Sequence, residues 1–352
     1  MDHGHFHELP DLAVRSLGGS VVYANDEAFA QRENLINPGP SRHDGDLFGP
    51  KGKVYDGWET RRRRESGHDE AIVRLGAPGI VHGVVVDTAW FTGNYPPEVS
   101  VEGLSIEGHP DVAELLAADG WVSLVPRSPV KGDTANEFTV AAGASGAGQR
   151  CTHVRLRIYP DGGVARLRVH GVALPDPALL DALGVFDLAA LENGGVVLDC
   201  SNRFYSSPNN LLLPGPTRSM GEGWETARRR DDGNDWIQVK LTGEASIRIA
   251  ELDTSYNLHN APGWASLRGR SGPDTEWVEL LGRTPLRPDT RHRFALADTT
   301  PVSEVRMDVY PDGGMARLRL YGSLTSAGRD ELGRRWRDAL PGPARAAEGR
   351  KA

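Results

Sequence analysis

One block of sequence occurs twice in this chain. Residues 159–171, YPDGGVARLRVHG, return at 310–322 as YPDGGMARLRLYG, identical at ten of thirteen positions. A second block, Gly57-Trp58-Glu59-Thr60 followed by Arg61 to Arg64, returns as Gly223-Trp224-Glu225-Thr226 followed by Ala227 and Arg228 to Arg230. The offset is 151 residues for the first block and 176 for Pro40 and Pro216. A repeat of that length is a domain and not one turn of a solenoid. At 352 residues the chain also exceeds what one core usually organises, and two domains of ordinary size account for it.

Within each repeat, glycine and proline are frequent and long helical periodicity is nearly absent. Short alternating runs recur in matched positions: Ala71–Leu75 with Ile237–Leu241, Val81–Asp87 with Ile247–Asp253, and Trp121–Val125 with Trp277–Leu281. Period-two runs split by Gly, Pro and Asp read as strands. Many short strands per unit point to an all-β fold, a tandem duplication of two sandwich or jelly-roll domains. Val154–Tyr159 and Val164–Val169 flank Pro160-Asp161-Gly162-Gly163, which predicts a closing hairpin, repeated at Val305 to Leu320. The expected boundaries are 9–172 for the first repeat, a linker at 173–186 with a helix-like stretch, and 187–324 for the second repeat. A tail at 325–352 is expected to be helical and then disordered.

Composition narrows the function. The net charge of −8 disfavours nonspecific nucleic-acid binding. No window approaches the roughly 18 apolar residues that span a bilayer. Met1 to Glu8 lacks the apolar stretch of a secretory signal, and Cys151 and Cys200 do not occupy equivalent positions. A reducing cytoplasm is the expected setting. His3, His5 and His7 form a His-rich chain end that reads as an adventitious metal binder at most.

The copies differ most in two insertions. Seventeen residues separate Pro40 from Trp58 but only seven separate Pro216 from Trp224. Gly103 to Trp121 is ten residues longer than Gly269 to Trp277, and Pro110 to Leu116 within it predicts a short helix. Long loops on one copy are where function tends to concentrate.

Two readings of the arginine block stand: recognition of an anion by the guanidinium forks, or structural ion pairing. Its tryptophans, Trp58 and Trp224, read as packing residues. Asp87-Thr88 and Asn94 match Asp253-Thr254 and Asn260 at the end of an apolar strand, as turn caps or as a site at the mouth of the sandwich. Asn25-Asp26-Glu27 stands against Ser201-Asn202-Arg203, and His68-Asp69 against Asn234-Asp235, so candidate acid–base groups gather in the first copy. His259 and His292 belong to the second copy alone. The chain has no Ser/His/Asp elbow, phosphate-binding glycine loop, HExxH or CxxC motif.

The order of these motifs resembles the allantoicase family over about residues 9 to 324. The resemblance rests on Ala24 to Phe29 with Asn34-Leu35-Ile36, on Asp56 to Arg63, on Asp87-Thr88 through Phe91 to Pro96, and on the two Tyr-Pro-Asp-Gly-Gly blocks. Ala28 departs from it, standing where the family tends to carry a second aromatic. The resemblance implies two jelly-roll domains similar to galactose-binding and discoidin-type modules, an oligomer, and hydrolysis of allantoate to (S)-ureidoglycolate and urea. On that chemistry Glu59, Asp26, Glu27, His68 and Asp87 are the catalytic candidates. Arg62, Arg63, Asn25 and Asn94 are the substrate-binding candidates, with Glu225, Arg228, Arg229, Asp253 and Asn260 as their counterparts. No cofactor is implied by the motifs, and divalent metal dependence is left open. The alternative is a non-catalytic tandem module that binds carbohydrate or ureide, since fold does not fix function.

Overall fold

The computed structural model describes residues 6–297 and 299–342. The chain divides into two compact units, one running to Val172 and the other from Ala173 to Asp338. His3 and His5, and the residues after Gly342 where a disordered end is expected, lie outside the described residues.

The first unit contains β1 (Ser20–Ala24), β2 (Phe48–Gly49), β3 (Gly52–Lys53), β4 (Trp58–Glu59) and β5 (Asp69–Asp87). It continues with β6 (Glu98–Leu104), β7 (Val122–Pro129), β8 (Ala135–Thr139), β9 (Arg150–Tyr159), β10 (Gly163–Val164) and β11 (Arg166–Ala173). The two sequence runs Ala71–Leu75 and Val81–Asp87 are one strand. β5 is 19 residues long, which at about 3.3 Å per residue would run roughly 60 Å if straight. It bends instead at Gly76-Ala77-Pro78-Gly79, where the register with β9 shifts between Arg74 and Gly79. Its first half pairs with β1 and β9, and its second half with β8 and β11. β9 carries β6, and β6 carries β7. Two layers are therefore joined through one shared strand. Ile72, Val73, Val84, Val86, Leu156 and Leu167 are fully buried at the centre of this unit.

The second unit repeats the plan with β12 (Phe186–Asp187), β13 (Val196–Cys200), β14 (Trp224–Glu225), β15 (Asp235–Asp253) and β16 (Trp264–Arg270). β17 (Val278–Pro285), β18 (Arg291–Ala295), β19 (Val302–Tyr310), β20 (Gly314–Met315) and β21 (Arg317–Leu324) complete it. β15 is again 19 residues, pairing first with β13 and β19 and then with β18 and β21.

The predicted hairpins do not form. β9 and β11 lie in different layers, each paired to a different half of β5, and β19 and β21 do the same against β15. The reason is that the backbone between them is already committed. Gly163 and Val164 pair with Glu59 and Trp58, the Gly163 N–H donates to the Asn94 carbonyl, and the Ala165 N–H donates to the Asp87 carbonyl. The Pro-Asp-Gly-Gly segment is thus a crossing between layers. Gly162 sits at φ +144°, a conformation that favours glycine. Both ends of β5 reach this crossing, Asp69 opposite Ile158 and Asp87 against Ala165.

The helices fall where the sequence predicts them. α1 (Val112–Ala117) opens with a capping box between Asp111 and Glu114 and buries Leu115 against Ile72 and Leu104. The second insertion is therefore a cover for the core. α2 (Pro177–Leu183) is capped by Asp176, and α3 (Ser326–Ala339) forms the tail. No described helix is long and apolar enough to cross a membrane. Cys151 and Cys200 are both buried and joined in no disulfide among the described residues, and burial pushes the Cys151 thiol up to about 12.

Phe91, fully buried, rests directly on the Gly163 backbone, where an added Cβ would lie 2.1 Å from its ring. Gly163→Ala is expected to destabilise the chain by about 2 kcal/mol through overpacking, measured by urea denaturation. An unchanged midpoint would show that the ring is not wedged there.

Candidate active site

Most first-copy candidates gather around the layer crossing. Trp58 and Trp224 are completely buried, and their ring N–H groups donate to the carbonyls of Asp26 (2.7 Å) and Asn202 (2.9 Å). That bond ties the Asn25–Ala30 loop to β4. Burying Trp58 leaves its neighbour Glu59 on the opposite side of the strand, half-buried. Asn94 Nδ2 donates to Glu59 Oε1 at 2.6 Å, and Asn260 donates to Glu225 at the same distance. Burial pushes the Glu59 carboxyl above its ordinary range, and the Asn94 donor offsets only part of this.

Asp26 is held differently. Burial acts to raise it, but the Ala28 and Arg61 N–H groups and the Arg61 guanidinium outweigh burial and hold it below the ordinary carboxyl range. The Arg61–Asp26 pair is 2.7 Å long. The second copy replaces both partners with neutral residues, Asn202 and Ala227, and keeps the uncharged bonds, the Ala227 N–H (3.3 Å) and Phe204 N–H (3.0 Å) donating to Asn202 Oδ1. Lys51, from the first-copy insertion, donates to the Ala28 carbonyl.

The arginine block divides by role. Arg63 Nη1 lies 2.7 Å from Asp69, whose side chain is 2% exposed, and its N–H donates to Asp161. Asn25 also donates to Asp69, at 2.9 Å, and accepts the Glu70 N–H. Arg229 repeats this with Asp235 (3.0 Å) and Asp312, with Ser201 in place of Asn25. Arg63, Asn25 and Arg229 therefore serve the frame. Arg62 and Arg228 are exposed and make no ion pair among the described residues. With Asp26, Arg61, Arg63, Arg64, Glu65 and Asp69, Arg62 lines an open pocket of about 480 Å³. Glu59 is not part of that lining, and its backbone is tied to the Asp26 loop by the Phe29 and Ala30 N–H groups, which donate to its carbonyl.

The other candidates sit apart from this cluster. Asp87 accepts the Ala89 N–H and Asp253 accepts from Ser255, so both cap the turn after the long strand. Glu27 accepts the Arg32 N–H. His68 packs against Tyr159 with the rings tilted by 53°, and lies 3.6 Å from Glu70. His292 bridges Leu252 and Arg287, and His259 is exposed. A second open pocket, about 630 Å³, lies in the first insertion between Asn34, His43, Leu47 and Tyr55, with His43 stacked on Trp90.

Sequence reading took Arg61 only as one of a run of arginines and passed over Lys51 and the side chain of Asp161. Asp161 carried a signal, since it belongs to the duplicated block. Lys51 carried none, because it lies in the insertion that the second copy lacks. Among the described residues, no three His, Cys, Asp or Glu side chains gather so as to hold a metal ion.

The allantoicase repeat family matches this chain twice, at residues 10–174 and 186–325. A probable allantoicase from Nocardia farcinica is 60% identical over 91% of this chain and 95% of its own length. The allantoicase of Dictyostelium discoideum is 38% identical over 90% of this chain and 88% of its own. A crystal structure of allantoicase from Saccharomyces cerevisiae superposes with a TM-score of 0.79 at 35% identity, covering 91% of this chain and 97% of that one.

The two arginines should separate in a stability measurement. Arg63→Met strands the buried Asp69 and is expected to cost about 2 kcal/mol. Arg62→Met should change stability by less than about 0.5 kcal/mol. Equal losses in urea denaturation would refute the division of roles.

Proposed function

The chain belongs to the allantoicase family, and from that premise we propose how it hydrolyses allantoate to ureidoglycolate and urea. The observation that carries the mechanism is the half-buried Glu59 carboxyl, raised by burial and held by Asn94, three residues before Arg62, which lines an open pocket and makes no ion pair among the described residues.

Allantoate carries one carboxylate on a carbon that also bears two ureido groups. The reaction breaks one of that carbon's C–N bonds and places the oxygen of water on it. Arg62 holds the carboxylate with its two-pronged guanidinium. Glu59, protonated, gives its proton to the departing urea nitrogen, because a carboxyl raised by burial keeps a proton closer to neutral pH, and the Glu59 carboxylate left behind takes a proton from the water whose oxygen bonds to the carbon. Asn94 fixes one oxygen of Glu59 and leaves the other for the transfer. Asp26 remains ionised against Arg61 and orients the loop that carries both groups. Asp87, Glu27 and His68 shape the surroundings without touching the reacting atoms.

The catalytic role is assigned to the first repeat. Asp26–Arg61 and the Lys51 contact have no counterpart in the second, although the Glu–Asn pair does. The repeats are taken as 9–172 and 187–324. An oligomer in the cytoplasm is the proposed state, resting on family resemblance and the reducing setting inferred from the cysteines. No cofactor is assigned.

Urea and ureidoglycolate should appear in equal amounts when the purified chain is given allantoate, with and without a chelator. A folded sample that releases no urea under metal-replete conditions would leave the binding-module reading. Asn94→Ala removes the one donor that lowers Glu59, so the Glu59 pKa should rise further. A general acid is lost as pH rises through its pKa, so the alkaline limb of kcat should move to higher pH. A limb that stays in place or moves down would remove Glu59 from the acid role.

A further inference from the structure

The second repeat has lost a counter-ion that the first repeat keeps. In the first repeat Arg166, 3% exposed, donates through Nη2 to Asp56 Oδ2 at 2.7 Å. Its Nη1 satisfies the carbonyls of Asp56 and Ala165. In the second repeat Arg317 takes the same place, also 3% exposed. Its Nη1 satisfies the carbonyls of Glu222 and Ala316, and its Nε that of Gly215. Glu222 stands where Asp56 stood, immediately before the Gly-Trp-Glu-Thr block, but both its carboxylate oxygens turn to Arg218. Arg317 Nη2 is left with no acceptor among the described residues.

A buried guanidinium without a carboxylate is costly. Burial and the charge of neighbouring Arg319 bring the Arg317 pKa down to about 10, and the charges of the Glu222 and Asp253 carboxylates, neither of them bonded to it, offset only part of this. Asp187 does not supply the missing charge, because it is bound to Arg319 at 3.1 Å and to the Leu320 N–H. Arg317 and Arg319 line a pocket of about 280 Å³ together with Arg291, Tyr321 and Glu192. Within it, Glu192 Oε2 is buried and has no hydrogen-bond partner among the described residues. The pocket's other acids are occupied, Glu251 by Arg293 at 2.6 Å and Arg291 at 3.4 Å, and Asp253 by Ser255 and Arg291 at 3.7 Å, so that Arg291 stands at the rim already shared between two carboxylates.

We propose that this pocket of the second repeat is a separate ligand site for a small carboxylate bearing a ureido group. The carboxylate takes the free Nη2 of Arg317, with Arg291 at the rim, and the ureido N–H groups donate to Glu192. Such a ligand supplies both missing partners, an anion for the guanidinium and a donor for the carboxyl oxygen. The carboxylate half follows from the lost counter-ion alone, while the choice of a ureido group rests on the allantoicase reading.

Ureidoacetate, with one carboxylate and one ureido arm, is a suitable probe because its α-carbon bears a single nitrogen and lacks the geminal second nitrogen that activates the C–N bond of allantoate. Calorimetric titration of the full chain should show binding that persists in Arg62→Met. In Arg317→Met it should weaken at least about tenfold, the loss expected for one charged hydrogen bond. Acetate should bind the unmutated chain about tenfold more weakly than ureidoacetate. If Arg317→Met does not fold, Arg291→Ala at the exposed rim should weaken binding several-fold. No binding to the unmutated chain, binding abolished by Arg62→Met but untouched by Arg317→Met or Arg291→Ala, or acetate binding equally well would each overturn the proposal. Urea release from allantoate is scored separately, so failure here leaves the activity assignment intact.

Discussion

Each repeat hangs on one strand that belongs to both of its layers. A 19-residue strand cannot stay flat and stay inside a sandwich, so β5 and β15 fold over at a glycine-containing bend. That bend returns the second half of the strand to the crossing where the first half began. The buried Asp69 and the turn-capping Asp87 are its two ends, and the Pro-Asp-Gly-Gly crossing joins them. Glu59, Asn94 and the arginine block all attach there by backbone or side-chain bonds. A frame fixed so tightly can present a half-buried carboxyl without collapsing onto it.

The same frame explains why the copies diverge in charge and not in shape. Trp58 and Trp224, the paired Glu–Asn contacts, and the Arg63–Asp69 and Arg229–Asp235 bridges are retained almost bond for bond. The changes fall on groups that the frame does not need. Asp26–Arg61 becomes Asn202–Ala227, and the Asp56–Arg166 bridge opens when Glu222 turns to Arg218. Removing a charged pair whole, as at Asn202 and Ala227, leaves nothing uncompensated. Turning only the acid away, as Glu222 turns from Arg317 to Arg218, leaves a buried cation facing an open pocket. One repeat thus gains a candidate reaction site and the other a candidate ligand site from a common ancestor.

Much of this architecture was legible because duplication provides an internal comparison. The all-β class, the domain-length repeat, the α1, α2 and α3 segments and the packed tryptophans could all be read from pattern and spacing. The hairpin reading failed because alternation on both sides of a glycine turn describes two strands but not their partners. Gly163 and Val164 were already paired to β4, which local sequence cannot reveal. The candidate site was legible by residue type but not by role. Arg62 and Arg63 are identical neighbours in sequence, yet one reaches a buried aspartate and the other faces solvent. Lys51 went unread because the shorter loop of the second copy has nothing to set against it, and Arg61 was read only as one of a run of arginines.

The central claim is that the duplicated Glu–Asn pair does chemistry in the first repeat and only structural work in the second. Steady-state urea release by Glu59→Gln and Glu225→Gln tests it directly, with melting temperatures measured alongside. Glu59→Gln should lower kcat by at least about a hundredfold, the scale of a lost general acid, at an almost unchanged melting temperature. Glu225→Gln should keep most of the rate. Full activity in Glu59→Gln, or an equal loss in both variants, would contradict the account.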